Sequence, residues 1–429
     1  MRKAIVVGSG AGGAAVARDL AGAFTVTILE AGGEFRPFGW PLDRAAGLKR
    51  LGLLFNEKEI EIIFPAMRVQ KTAEGMVLIS GRATGGTTTL SCGNALRQDT
   101  ALKTIGIDLS PEFEELEKDI PVSADHERLW REPTRRLFAV FADMGLDPRP
   151  LPKMGRYELC RSCGRCVFGC PHGVKWDSRA FLADARARGA GLMTGCRVEK
   201  LLIRSGRAEG IIVKEGRHRL VIPADLVVLA AGGMGTPPLL ERSGIPVEPR
   251  LFVDPVLCLA AEWKDACQDR ELPMPFAAQR NGYILSPYFD HLSFFFNKNW
   301  PTPAGNILSL MVKLADSESG RATGTGVDKI LTAEDKAGLE EGTALCADIL
   351  GRMGVPRDRM FFGTLNAGHP GGMIPLTARD ASSFHPERLP ENVYVADASL
   401  FPASLGNPPI WTIMALAKRI AKVCKDLNR

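Results

Sequence analysis

The chain has 429 residues, of which 45% are hydrophobic and 24% charged, as in an ordinary globular protein of two or three domains. Its net charge of +5, from 54 basic and 49 acidic residues, argues neither for nor against nucleic-acid binding, but the lack of any block of like charge makes such binding a weak hypothesis. The N-terminus lacks a secretory pattern, and no run approaches the roughly 20 apolar residues of a membrane span, so we expect a cytoplasmic protein.

The first thirty residues have the order strand, glycine turn, helix, strand. The apolar run 4–7 predicts a strand buried on both faces, residues 14–21 a helix, and the β-branched run 25–29 a second strand. This order is typical of a unit that binds a dinucleotide at the carboxyl end of its first strand.

Three glycines and one acid complete that pattern. Gly8, Gly10 and Gly13 form a GxGxxG turn, which allows a tight turn, close approach to a pyrophosphate and packing of helix on strand. Glu30 ends the second strand, where a carboxylate can bind a ribose diol and disfavours a 2′-phosphate. At this stage the turn fits FAD and NAD equally well.

Further elements follow. A helix is predicted at 108–119, with Ser110 as its N-cap and Pro111 in its first turn. Strands are predicted at 201–203, 210–213, 226–229 and 393–395, and an amphipathic helix from about Ile410. Residues 157–178 have no helical or strand period and predict a loop.

Four motifs in order along the chain decide between the two dinucleotides. Besides the first glycine turn, they are a glycine-rich loop at 81–89, an Ala-Ala-Gly-Gly run at 230–240, and a C-terminal segment with Asp397 and Gly406-Asn407-Pro408-Pro409. Together they resemble the glucose–methanol–choline (GMC) oxidoreductase family. The resemblance covers the first hundred residues, residues 195–245 and the last forty.

The resemblance implies an α/β fold, with a Rossmann-like FAD-binding domain of the GMC/glutathione-reductase type and a discontinuous α+β substrate domain. We expect FAD binding by 1–100, 179–250 and 387–429, and a substrate or cap domain from 101–156 and 251–386. The cofactor-binding residues that it implies, besides those of the first turn and Glu30, are Gly85, Gly86, Thr87, Val198, Ala231, Gly232, Asp397 and Pro408.

The resemblance also implies the reacting groups. His369 matches the histidine that accepts the hydroxyl proton as hydride passes to flavin N5, and Asn407 matches the second active-site position. Histidine titrates near neutrality and suits a base, and an asparagine amide can donate to a forming alkoxide. The other histidines are expected at the surface, with His172 able to border the cysteine segment; they are His126, His172, His218, His291 and His385.

Four of the ten cysteines lie within eleven residues, as Cys160-x-x-Cys163-x-x-Cys166-x-x-x-Cys170-Pro. This run is the ferredoxin pattern and predicts a 4Fe-4S cluster in the loop 157–178. A structural zinc site is the alternative, although zinc sites usually have two separated CxxC pairs. Cys170 is the favoured fourth ligand, with Cys92 or Cys196 as alternatives.

A flavin takes two electrons as hydride and a cluster passes one at a time, so the pair indicates a dehydrogenase. We expect oxidation of a small alcohol, a sugar or another carbinol, with electrons leaving through the cluster to an acceptor protein or a quinone-linked carrier. A partner subunit could complete the short substrate domain. The alternatives are a cluster-fed reductase of a carbonyl or activated double bond, and a non-catalytic electron-transfer subunit.

Overall fold

In the computed structural model the described residues are 1–40, 46, 47, 49, 51, 56–300 and 302–427. A five-stranded parallel sheet forms one layer. In spatial order its strands are Val393–Val395, Leu226–Leu229, Lys3–Val7, Thr25–Leu29 and Gly191–Met193. The first strand is central and its four last residues are buried, as parallel sheets covered on both faces require.

Helices cover this sheet. Ala11–Leu20 follows the first strand and packs against Ile410–Asp426 and Arg179–Ala187. The C-terminal helix is buried on most of its sides, and its buried apolar residues include Trp411, Met414 and Leu416. The predicted Rossmann-like fold is confirmed, and the predicted elements of this layer lie within three residues of their observed boundaries, whereas Arg179–Ala187 and Gly191–Met193 were not predicted.

A second, nine-stranded and mostly antiparallel sheet carries the other half. Its strands in order are Met67–Lys71, Val77–Gly81, Asn366–Ala367, Val256–Glu262, Ile307–Leu314, Tyr283–Pro287, Phe276–Gln279 and Arg149–Pro150, with Met360–Phe362 paired to Val256–Glu262. The helix Ala333–Arg352 packs on it. This α+β unit is discontinuous, as expected, and the domain boundaries themselves stay a prediction.

Smaller elements complete the chain. A three-stranded meander has the strands Cys196–Arg204, Arg207–Glu215 and His218–Pro223, and two-stranded pairs are Val122–Ser123 with Lys153–Met154 and Arg321–Ala322 with Val327–Asp328. The remaining α-helices are Ile60–Ile63, Thr100–Lys103, Ser110–Asp119, Glu132–Asp143, Thr236–Arg242 and His291–Phe296. Among the described residues no helix is long and apolar enough to cross a membrane.

Two local predictions are wrong. Ser110 is the first residue of its helix and not its cap, which is Leu109. The hydroxyl of Ser110 donates to Asp108 Oδ1 at 2.7 Å and accepts no hydrogen bond from the backbone of its helix, all of which the structure describes.

His126 and His291 are buried and not at the surface. The His126 ring accepts from Trp130 Nε1 and contacts the carbonyl of Leu151, so a side chain that looks polar in the sequence is satisfied inside.

Burial of the C-terminal helix gives a test of stability. Leu416 is 0% exposed, so Leu416→Ala is expected to lower the free energy of unfolding by about 2–5 kcal/mol through lost burial and a cavity. Val221→Ala, on a residue that is 64% exposed, should change it by about 0.5 kcal/mol or less. Denaturant unfolding of both variants measures the difference, and equal losses would contradict this packing.

Candidate active site

A cavity of about 380 Å³ opens at the carboxyl ends of the parallel strands. Gly8, Glu30 and Ala230 follow directly on the three central strands and all line it. In open α/β sheets ligands bind at this edge, where the strand order reverses. Lining residues that the sequence also singled out are Gly10, Gly86, Thr87, Val198, Ala231, Gly232, His369 and Asp397.

The first glycine turn is packed backbone against backbone. Gly8 has φ +102°, and a Cβ there would lie 2.2 Å from the carbonyl oxygen of Ala230. A Cβ on Gly13 would lie 2.0 Å from the carbonyl oxygen of Gly8, so Gly13 serves helix packing and does not line the cavity. Gly10 faces the open cavity at the N-terminus of the helix Ala11–Leu20, which favours a negatively charged ligand.

Glu30 closes this turn from the second strand. Its carboxylate accepts from Ser9 Oγ at 2.5 Å, from Ser9 N at 3.2 Å and from Gly32 N at 2.7 Å. Burial raises the pKa of Glu30, and these hydrogen bonds partly oppose that shift. The carboxylate therefore orders the loop and faces the cavity at the same time.

The second glycine-rich loop lies against the first. Gly85 and Gly86 have φ +92° and +53°, and the short helix Gly86–Leu90 begins there. A Cβ on Gly86 would lie 2.8 Å from Gly10 Cα, and Ser9 Oγ accepts from Gly85 N at 3.2 Å. Gly85 itself does not line the cavity, but its turn places Gly86 and Thr87 there.

Asp397 is buried on the far side of the cavity. Its carboxylate accepts from Gly232 N at 2.9 Å, Thr236 Oγ1 at 2.5 Å and Ser399 N at 2.9 Å. Burial raises the pKa of Asp397. One carboxylate thus joins the Ala-Ala-Gly-Gly segment to the C-terminal segment.

His369 enters the cavity from the antiparallel sheet, two residues after the strand Asn366–Ala367. Its side chain is 24% exposed, and its Nδ1 lies 3.6 Å from Asp254 Oδ2. Burial and the nearby Lys313 ammonium lower the pKa of His369, and Asp254 partly opposes them. Neutral imidazole is therefore favoured, as a proton acceptor requires.

Asn407 is buried beside the cavity and not on its surface. Its amide forms a reciprocal pair with Gln279, with Gln279 Nε2 donating at 2.9 Å and Asn407 Nδ2 donating at 3.3 Å. Pro408 also lies off the cavity lining, whereas Pro409 and Ile410, at the start of the C-terminal helix, line it. The helix thus directs its positive end toward the cavity.

The four clustered cysteines line one small cavity of about 10 Å³, together with His172, Lys175 and Glu271. In the part of the chain that the structure describes, no group of three or more His, Cys, Asp or Glu side chains is arranged to hold a metal ion. This finding supports neither the iron–sulfur nor the zinc interpretation, and both stay hypotheses.

Three residues around the candidate base were missed by the sequence reasoning. Asp254, Lys313 and Gln279 come from separate strands or turns, and no motif marks them. The alternating burial of a strand would have predicted Lys313 outside, yet the whole strand Ile307–Leu314 is buried. The signal that the sequence offered was a single lysine within a mostly apolar strand, since a lysine buried there needs a charged partner.

Comparison with known proteins decides the family. A family model described as GMC oxidoreductase matches residues 3–256, more than half of the chain. The chain belongs to the GMC oxidoreductase family.

Individual relatives agree with this assignment. An uncharacterized GMC-type oxidoreductase of Mycobacterium tuberculosis is 34% identical over 58% of this chain and 40% of its own length, so the chain spans well under half of that relative. A long-chain-alcohol oxidase of Arabidopsis thaliana is 24% identical over 99% of this chain and 67% of its own. Pyridoxine 4-oxidase, recorded from Mesorbium loti, superposes with a TM-score of 0.73 at 18% identity, over 98% and 99% of the two chains, which shows the fold.

Family membership supports FAD as the cofactor and an FAD-dependent oxidoreductase as the enzyme class. The cavity fits that group, since a glycine turn without side chains and a helix N-terminus face the space where a pyrophosphate would lie. Glu30 and Asp397 would flank it from opposite walls.

Replacement of Glu30 tests whether this cavity binds FAD, as in a GMC oxidoreductase. Glu30→Ala is expected to weaken FAD binding by about 10- to 100-fold, because hydrogen bonds to a charged group are lost together with the order of the loop. Titration of FAD into apoprotein measures this, and Glu34→Ala is the matched control because Glu34 is an exposed acid of the same segment. Equal affinities of the two variants would contradict the assignment.

Proposed function

We propose that this GMC oxidoreductase is an FAD-dependent dehydrogenase that removes a hydride and a proton from a carbinol. The observation that carries the proposal is the position of His369 on the cavity wall that the two glycine loops and Asp397 also line. When bound, FAD supplies the acceptor for hydride from the carbinol carbon.

The chain's own residues bind the ligand and move the proton. His369 Nε2 accepts the hydroxyl proton, and the lowered pKa of His369 keeps the imidazole neutral at physiological pH. Asn407, held by Gln279, is proposed to steady the oxygen that loses its proton, and its amide must then exchange a hydrogen bond with Gln279.

We propose alcohols as the substrate class, either a long-chain alcohol or a ring-bearing primary alcohol such as a sugar or pyridoxine. Similarity to a long-chain-alcohol oxidase and to the fold of pyridoxine 4-oxidase supports this choice. Anaerobic mixing of the FAD-loaded protein with 1-dodecanol or pyridoxine, followed by flavin absorbance, tests it. Bleaching by either alcohol would support the proposal, and an unbleached flavin with a full panel of alcohols would contradict it.

We further propose that Cys160, Cys163, Cys166 and Cys170 hold a 4Fe-4S cluster, which would supply one-electron transfer to an acceptor protein or a quinone-linked carrier. The spacing of the thiols and their shared cavity support this. The cavity has room for about one water molecule, so cluster binding would require the surrounding side chains to move apart.

The position of the cysteine segment supports the same proposal. The short helix Cys166–Phe168 packs against Gly86–Leu90, the loop that lines the flavin cavity. Lys175 Nζ, also buried, donates to the carbonyl oxygens of Thr88 at 3.1 Å and Thr89 at 2.8 Å. Two buried ammonium groups, those of Lys153 and Lys175, interact electrostatically with Cys166, and buried positive charge suits an anionic centre.

Replacement of the candidate base gives the direct test of catalysis. His369→Ala is expected to slow anaerobic flavin reduction by about 10²–10⁴-fold while FAD stays bound, because a general base contributes that much. In the unmodified protein the rate should rise with pH, with its midpoint below the ordinary histidine pKa of about 6.5, since the neutral ring is the active form. His218→Ala, on an exposed strand, is the control; a similar rate in both variants would remove His369 from the mechanism.

Replacement of single cysteines tests the cluster. Cys166→Ser and Cys170→Ser are expected to lose iron, sulfide and broad visible absorbance in anaerobically purified protein, whereas Cys424→Ser, on a buried thiol of the C-terminal helix, keeps them. Cys92→Ser should also keep them if Cys170 is the fourth ligand. Zinc without iron in the unmodified protein would contradict the proposal.

A further inference from the structure

A buried carboxylate, Asp254, connects the two candidate reacting positions, His369 and Asn407. It lies two residues before the strand Val256–Glu262, in the middle of the antiparallel sheet. The inference drawn from it rests on the proposed role of His369 as base.

One oxygen of this carboxylate faces the base. Asp254 Oδ2 contacts Lys313 Nζ in an ion pair in which both side chains are 1% exposed, and it lies 3.6 Å from His369 Nδ1. That distance is longer than a hydrogen bond, and Nδ1 is buried without another partner among the described residues. A small rotation of the ring brings Nδ1–H onto Oδ2, so the carboxylate is the acceptor placed for it.

The other oxygen faces the segment that leads to Asn407. Asp254 Oδ1 accepts from Ser404 Oγ and, at 3.4 Å, from Gly406 N. Asn407 follows directly and turns its amide to Gln279. The same carboxylate thus contacts the base with one oxygen and the second reacting segment with the other.

The position of Asp254 is imposed by the strands around it. Val256 pairs with Asn366 on one side and with Lys313 on the other, so the ends of three neighbouring strands bring Asp254, His369 and Lys313 together. The φ of Asp254 is +53°, a conformation that costs energy for a residue with a side chain. Asp316 holds it there by accepting from Val253 N and Asp254 N at 3.0 and 2.8 Å, and Lys329 pairs with Asp316 at 2.8 Å.

We propose that Asp254 is a positioning residue of the reaction, which fixes the Nδ1-protonated tautomer of His369 and holds the segment of Asn407, while Lys313 balances its charge. With Nδ1–H directed at Asp254, the lone pair of Nε2 is free to accept the substrate proton. The arrangement does not depend on which alcohol binds.

The charges around the ring oppose each other. Asp254 raises the pKa of His369, and Lys313 lowers it. The second pair, Asp316 and Lys329, lies behind Asp254 and is itself neutral in sum. A lone carboxylate would favour imidazolium, which cannot act as a base; the ion pair gives Asp254 an orienting role without that cost.

The test uses the tautomer of His369 as its readout. The full chain, labelled with ¹⁵N-histidine, has six histidines, and His369→Gln identifies the signal of His369. The unmodified protein is expected to show protonated Nδ1 and bare Nε2 above the pKa. Asp254→Asn/Lys313→Met, which leaves no unpaired buried charge and is therefore expected to fold, should shift the ring toward a tautomer mixture.

A matched control removes another poorly exposed ion pair. Lys418 and Asp19 lie 3.1 Å apart between the C-terminal and first helices, and Lys418 also pairs with Glu115 and Asp119. Asp19→Asn/Lys418→Met removes two opposite charges there and should leave the tautomer unchanged. An unchanged tautomer in folded Asp254→Asn/Lys313→Met would overturn the proposal. Because this readout needs neither substrate nor flavin turnover, it tests whether Asp254 fixes the tautomer of His369 separately from whether His369 is the base.

A second readout separates positioning from mere folding. The pH midpoint of flavin reduction should move down in Asp254→Asn and up in Lys313→Met, because the two charges act on His369 in opposite directions. The plateau rate should fall about tenfold or more in Asp254→Asn, less than the loss on removing the base itself. Midpoints that move together, or not at all, in folded variants would contradict the proposal, whereas an unaffected His369→Ala would instead contradict the proposed function.

Discussion

The structure depends on close packing of main chain against main chain at the edge of the parallel sheet. The turn at Gly8, the loop at Gly86 and the segment at Ala230 touch one another without intervening side chains. A single added methyl group at Gly8 or Gly13 would lie within 2.2 Å of a carbonyl oxygen. This packing brings together backbone amides from three distant segments, and it leaves open the space in which a long dinucleotide can lie.

Two buried carboxylates maintain that packing. Glu30 holds Ser9 and Gly32, and Asp397 holds Gly232 and Thr236. Each is desolvated, and each is compensated by three hydrogen bonds, so their raised pKa values reflect burial that the network only partly offsets. The acids that the motifs marked for a cofactor are therefore also the acids that order the loops around it.

The sequence predicted the Rossmann-like half well because its signals are local. A buried strand, a glycine turn and an acid lie within thirty residues, and their spacing implies their arrangement. The surroundings of His369 could not be predicted in this way. Asp254 and Lys313 are 59 residues apart and meet only through strand pairing, and the pairing of Val256 with Asn366 is a single bridge in an irregular sheet. His126 and His291 were misjudged for a related reason, since only the tertiary fold buries them.

Buried lysines occur in two different settings: Lys313 is paired with a carboxylate beside His369, and Lys153 and Lys175 lie beside cysteines. Around His369, Lys313 and Asp254 form an ion pair, which in our proposal orients the ring of His369 without charging it. Beside the glycine loop, Lys153 and Lys175 are buried next to thiols, and their ammonium groups donate to backbone carbonyl oxygens. In the proposed mechanism a proton is taken up at His369, beside the Asp254–Lys313 pair, and electrons leave past Gly86–Leu90, beside the buried lysines. This separation stabilises negative charge beside Lys153 and Lys175. It also keeps the ring of His369 from being protonated, and a protonated imidazole could not act as the proposed base.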